Sequence, residues 1–108
     1  MNLPTEIFGD VIVVHTPEEL GADQSEGFEA FTKTLERKNV VFDMDNTEIL
    51  DSQGLTSLLK VHDALRDANG EAKIAASNAN NRKIFEITRL EQQLEVYDSV
   101  VDAVKSFQ

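Results

Sequence analysis

Short apolar runs and helix-period segments take turns along this 108-residue chain, and that alternation limits the architectures open to it more than any single residue does. Val11-Ile12-Val13-Val14, Asn39-Val40-Val41-Phe42-Asp43-Met44, Lys73-Ile74-Ala75-Ala76 and Leu94-Glu95-Val96-Tyr97 have the length of buried strands, not of helices. Between them, Phe28, Phe31, Thr32 and Leu35 mark one face of a helix over 22–37, and Leu55, Leu58, Leu59, His62 and Leu65 mark another over 52–68. Ile84, Ile87 and Leu90 form the ridge of a third over 80–91, and Val100, Val101, Val104 and Phe107 that of a fourth. A chain that returns to the same sheet after each strand does so through a crossover helix, so an α/β domain with parallel later strands is expected. Glu6-Ile7-Phe8 and the first valine run flank Gly9-Asp10, a pair suited to a tight hairpin turn, so the chain should open with an antiparallel pair.

One domain over 1–108 is expected, because that length supports one core and no Pro/Gly-rich linker or internal repeat divides it. Hydrophobic residues at 41% and charged residues at 28% exclude a wholly disordered chain. With no cysteine there are no disulfides, thiolate metal sites or cysteine nucleophiles, and with no long apolar run a cytoplasmic protein is expected. Twenty acidic residues against ten basic ones give a formal charge of −10, which opposes attraction to nucleic acid and to anionic membranes. A basic protein partner suits that charge, as does a solvated acidic surface.

The junction between the second strand pattern and the second helix pattern reads Asp51-Ser52-Gln53-Gly54-Leu55. Ser52 is expected to cap the helix by accepting a bond from a backbone N–H, with Thr56 and Ser57 in the first turn. At the far end, Asn69-Gly70 supplies a glycine to take the left-handed conformation just past a helix.

Val41-Phe42-Asp43-Met44 through Glu48-Ile49-Leu50-Asp51-Ser52-Gln53-Gly54-Leu55 resembles the signature of STAS domains, the anti-sigma-factor antagonist family. Leu58-Leu59, the Asn69-Gly70 helix end, Ile84-Phe85-Glu86-Ile87-Thr88-Arg89-Leu90 and Val96-Tyr97-Asp98-Ser99-Val100 follow in the family's order, so only the N-terminal third is loose. The resemblance implies a mixed sheet with helices mainly on one side. It also implies a noncatalytic protein-interaction module that binds an anti-sigma factor with serine-kinase activity and is released by phosphorylation at the start of the second helix. No cofactor is implied, and the oligomeric state is open. The same domains also serve larger signalling assemblies and transporter complexes.

Two positions depart from the family. The usual phosphoacceptor, immediately before the motif glycine, is Gln53, which cannot be phosphorylated; Ser52 is the remaining candidate acceptor, set against its role as a cap. Where many members have Gly-Glu-Leu-Asp after the hairpin, this chain reads Glu18-Glu19-Leu20-Gly21, with Asp23 two residues on. The expected contact surface is Asp51, Ser52, Gln53, Gly54, Thr56 and Ser57, with Gly21 and Asp23 beside it.

A rival reading starts from Asp43-Met44-Asp45-Asn46-Thr47, which matches the Asp-x-Asp-x-Thr motif of haloacid-dehalogenase-like phosphatases, with Ala75-Ala76-Ser77-Asn78 similar to their second motif. In such enzymes the first aspartate attacks phosphorus, the second is the general acid/base, and Mg²⁺ neutralises the phosphate. That class also needs a later lysine and acidic pair, for which Asp98, Asp102 and Lys105 come too late in the chain, so the binding module is preferred. His15 reads as a strand-end residue and His62 as a half-buried helix residue with one hydrogen bond, neither with a second ligand at metal spacing.

Overall fold

The computed structural model describes residues 1–108. In chain order the elements are β1 (Thr5–Phe8), β2 (Val11–His15), β3 (Glu19–Leu20), α1 (Ala22–Thr32), β4 (Asn39–Asp43), β5 (Ile49–Leu50), α2 (Ser52–Asp67), β6 (Glu71–Ala75), α3 (Ala79–Ile87), a 3-10 turn (Leu90–Gln92), β7 (Glu95–Tyr97) and α4 (Val100–Lys105). Gly9, at a φ of 62°, turns the chain between β1 and β2, which pair antiparallel with Phe8 opposite Val11. From β2 onward the main sheet is parallel, in the order β1-β2-β4-β6-β7, as crossover helices require. It is the mixed sheet expected from the sequence.

Strand alternation divides the core in two. Ile12, Val14, Val40, Phe42, Ala72 and Ile74 face one way and are covered by Phe28 of α1, Leu58 and Val61 of α2, and Phe85 of α3. The Phe28 and Phe42 rings meet at 5.3 Å between centroids, tilted by 54°. Val11, Val13, Val41 and Ala75 face the other way, onto Ala103 of α4. Three helices therefore lie on one side and one short helix on the other. No helix is long and apolar enough to cross a membrane.

Several element ends differ from the periodicity. α1 stops at Thr32, short of residue 37, because the Thr34 N–H and hydroxyl both bond back to the Phe31 carbonyl (3.0 and 2.7 Å), closing a tight turn; Leu35 still packs on the core from outside the helix. α3 stops at Ile87 because Thr88 donates its hydroxyl to the Ile84 carbonyl at 2.6 Å and Arg89 enters the left-handed region at a φ of 62°. After α2 it is Asn69, at a φ of 66°, and not Gly70, that turns left-handed. Asn69 N–H reaches the Arg66 carbonyl and Gly70 N–H the Leu65 carbonyl, a Schellman closure. Gly70 is required for a different reason: a Cβ there would collide with the Lys38 carbonyl oxygen. Leu94 is buried ahead of β7, which begins at Glu95, and His62 is buried where half-burial was expected. The ridge expected on α3 is also displaced: Ile87 is 70% exposed, and Phe85 with Asn81 forms the buried face.

Candidate functional site at the starts of two helices

β3 and β5 are two-residue strands without a hydrophobic signature, and they pair in parallel, Glu19 with Ile49 and Leu20 with Leu50. Each runs directly into a helix, β3 into α1 and β5 into α2, so this small pair brings two helix N-termini side by side. Positive dipole ends and unpaired N–H groups gather at such a place. The side chain that answers both is Asp51. Its Oδ1 accepts from Gly54 N–H of α2 at 3.0 Å, and its Oδ2 accepts from Ala22 N–H of α1 at 3.3 Å. Asp51, not Ser52, is therefore the α2 cap, which corrects the expectation from the sequence. A carboxylate outweighs a hydroxyl here because it offers two acceptor oxygens and a charge to two helices at once.

Gly54 is required by closeness of approach, because a Cβ there would collide with the Leu20 carbonyl oxygen, whereas one on Gly21 would lie 2.7 Å from Asp51 Oδ2, the end of a side chain that can shift. Gly21 begins α1, with its own N–H bonded to Gln24 Oε1 at 3.0 Å. Ser25 adds a tie, its hydroxyl donating to the Gly21 carbonyl at 2.7 Å and lying 3.3 Å from the Gln53 carbonyl.

Asp51, Ser52, Gln53 and Thr56 are exposed together at the α2 start, Gly54 and Gly21 are buried beneath them, so that neither glycine is part of the exposed surface expected from the sequence, and Asp23 is exposed in the first turn of α1. Thr56 spends its hydroxyl on the Ser52 carbonyl at 2.9 Å. Ser57 does not belong to this surface: it is 1% exposed, and its hydroxyl donates to Glu29 Oε2 at 2.9 Å between α1 and α2. An open groove of about 580 Å³ leads from Gln53 and Ser25 between the helices toward Glu29, Lys33 and Lys60. Ile49, 56% exposed on β5, adds an apolar side chain next to the cluster.

In the Asp43-to-Thr47 segment, Asp43, Asp45 and Thr47 are each bonded within the protein. Asp43 Oδ2 receives His15 Nδ1 at 2.8 Å, and Asp43 Oδ1 receives the Asp45 N–H at 3.1 Å. Asp45 Oδ1 receives the Ser77 N–H at 2.7 Å and the Ser77 hydroxyl at 3.0 Å. Thr47 is buried, donating to the Pro17 carbonyl at 2.6 Å, and buried Asn81 donates through Nδ2 to the Met44 and Thr47 carbonyls at 3.2 and 2.9 Å. These aspartates and hydroxyls hold the loop between β4 and β5, and no cluster of three or more His, Asp or Glu is arranged to bind a metal ion. Asn81 is the anchor that sequence patterning did not identify, although a polar residue on the inner face of α3 was the available signal; Asp51 was expected on the surface but not as the cap.

A sequence profile of the STAS domain matches residues 2–103. The chain belongs to the STAS domain family. Comparison with curated proteins by sequence gives no significant match. Among solved structures, this STAS domain is similar to an anti-sigma factor antagonist from Mycobacterium paratuberculosis, with a TM-score of 0.86 and 20% identity over 97% of this chain and 92% of that one. It is also similar to the Bacillus cell fate determinant SpoIIAA in its phosphorylated form, with a TM-score of 0.72 and 16% identity over 99% and 100% of the two chains. A third neighbour is the murine anion transporter Slc26a9, at a TM-score of 0.76 and 19% identity, where the match covers 92% of this chain and 18% of the transporter. At these identities the likeness is one of fold. The STAS domain's α2 start is thus the structurally defined place at which Gln53 stands.

Proposed function

We propose that this STAS domain is a noncatalytic protein-interaction module of the anti-sigma-factor-antagonist kind, acting in the bacterial cytoplasm in a partner switch that regulates transcription. Its partner would be an anti-sigma factor with serine-kinase activity. The observation that carries the reading is the double cap: Asp51 fastens the starts of α1 and α2 into one surface and leaves Ser52, Gln53 and Thr56 exposed on it, with Asp23 alongside and Gly21 buried beneath. Rigid elements that hold exposed polar groups in fixed positions suit docking of a protein.

In a switch of this kind a phosphoryl group at the α2 start would bring about −1.5 to −2 charges and three acceptor oxygens onto the docked surface. Gln53 stands at the usual acceptor position and cannot carry one, so the surface stays in its binding form. Ser52 is the remaining candidate: it is exposed, and because Asp51 is the cap its hydroxyl is committed to no bond within the protein. Thr56 is bonded and Ser57 buried.

Phosphate incorporation from ATP by anti-sigma kinases of the source organism tests this, with the native chain, Gln53→Ser and Ser52→Ala in parallel. Incorporation into Gln53→Ser and not into the native chain fits a module that has lost its off-switch. Incorporation into the native chain that Ser52→Ala removes moves the switch back one residue. No binding and no incorporation by any form contradicts the reading.

A further inference from the structure

His15 has both ring nitrogens on carboxylates. Nδ1 lies 2.8 Å from Asp43 Oδ2, and Nε2 lies 2.8 Å from Glu6 Oε1. An ionised carboxylate only accepts hydrogen bonds, whereas a neutral imidazole has one N–H and one lone pair. Both contacts are satisfied together only when both nitrogens donate, that is, when the ring is an imidazolium. A neutral ring must turn a lone pair toward one carboxylate and give that contact up.

The three groups come from three strands, Glu6 from β1, His15 from β2 and Asp43 from β4, where His15 and Asp43 are register partners. We propose that His15 is a proton-operated clasp that fastens the edge strand β1, through Glu6, to the end of β4, and that losing its proton loosens β1.

The position of β1 makes such a clasp matter. All four of its residues are exposed, its outer edge is unpaired, and β2 is the strand it pairs with. Beyond the hairpin ladder it is held by the bond from His15 N–H to the Pro4 carbonyl at 3.0 Å, by Phe8 beside Val100, Val101 and Val104 of α4, and at its polar end by the Glu6 contact. The contact that breaks is also defined: the Asp43 side chain is 13% exposed and its other oxygen is engaged by Asp45, whereas that of Glu6 is 58% exposed and readily rehydrated. A neutral ring therefore keeps Nδ1–H on Asp43 and releases Glu6. An opened hairpin would bare the β2 edge to strand pairing.

The charged groups facing the ring are few. β1 supplies Glu6 and β4 supplies Asp43; Asp45, in the loop beyond, is held by Ser77; Asp102 and Lys105 of α4 make no bond to the ring. Burial lowers the His15 pKa, but the hydrogen bonds to Glu6 and Asp43 and their negative charge outweigh it and hold the ring above its ordinary 6.5. The clasp thus opens on the alkaline side of that value.

Proton NMR of the two histidines across pH, read with hydrogen-exchange protection of the β1 amides at each pH, tests the clasp in the native chain and in Glu6→Ala, which removes the side-chain acceptor without offering a donor in its place. His15 is expected to titrate above 6.5, with its midpoint shifted down in Glu6→Ala. Protection of β1, corrected for intrinsic exchange, is expected to fall through the His15 titration in the native chain and to be low throughout in Glu6→Ala. A His15 midpoint at or below 6.5 overturns the imidazolium. A raised midpoint with equal β1 protection in both proteins overturns the clasp.

Discussion

The Leu20 carbonyl and the α-carbon of Gly54 meet with no room for a side chain between them, so the strand that leads into α1 rests directly on the first turn of α2. That backbone contact, with the Asp51 bridge beside it, makes one surface of two helix starts that lie far apart in sequence.

Gly54→Ala should therefore be costly although its backbone conformation is open to alanine. The added methyl group meets a backbone carbonyl that can move only by separating β3 from α2. A loss of roughly 1–3 kcal/mol is expected in urea unfolding, with weakened partner binding even where the variant folds. A stability equal to that of the native chain would mean that the two segments are not held in contact.

Asp51→Ala removes the α2 cap and the bond to Ala22 together, and should cost about 0.5–2 kcal/mol. Ser52→Ala, by contrast, should change stability by no more than about 0.5 kcal/mol, because its hydroxyl caps nothing. Equal losses in the two variants would return the capping role to Ser52.

Lys73 is the buried cation of the α4 side. Its side chain is 6% exposed; Nζ donates to the Ser106 hydroxyl at 2.8 Å, pairs with Glu95 at 3.2 Å, and sits 4.2 Å from the Phe107 ring centroid. Lys73→Met keeps much of the stem's packing and loses the ties to the end of α4. The expected result is faster amide exchange through residues 103–107 with β2, β4 and β6 unchanged, and a stability loss of about 1–2 kcal/mol. Unchanged exchange at the C-terminus would show that α4 is held by its apolar face alone.

The pH dependence of stability follows from His15. Because its folded-state pKa is raised, its contribution is complete below the unfolded value of 6.5 and is lost as pH rises through the folded-state pKa. Denaturant unfolding across this window should show the native chain losing stability relative to Glu6→Ala as pH increases, with the difference shrinking toward alkaline pH. A constant difference would contradict the linkage.

The sequence revealed the main sheet because its signals there are local: valine-rich strands, the apolar ridges of α1 and α2 and a Gly-Asp turn; the α3 and α4 ridges were only partly right, since Ile87 and Val101 are exposed. It hid β3 and β5, since two residues each carry no periodicity and their pairing is decided by where the adjoining helices pack. The α1 end was misjudged for a related reason, because Leu35 continues the apolar spacing after threonine hydroxyls have already closed the helix. At the site, the residue types were visible and their roles were not. Ser52 looked like the cap until Asp51 proved to lie between two helix starts, and Ser57 looked exposed until α1 packed over it. Short-range spacing likewise put Asp43, Asp45 and Thr47 in a phosphatase order, whereas only the folded loop shows them bonded to His15, Ser77 and Pro17.

Calorimetric titration of an ATP-binding anti-sigma kinase with the native chain and with Gln53→Glu bears most directly on the proposed surface. The substitution places a negative charge in the first turn of α2 while keeping nearly the same shape, so binding by the native chain and an affinity at least about tenfold lower for Gln53→Glu are expected, a difference of about 1.4 kcal/mol. Equal affinities for the two proteins would place the interface elsewhere and contradict the account.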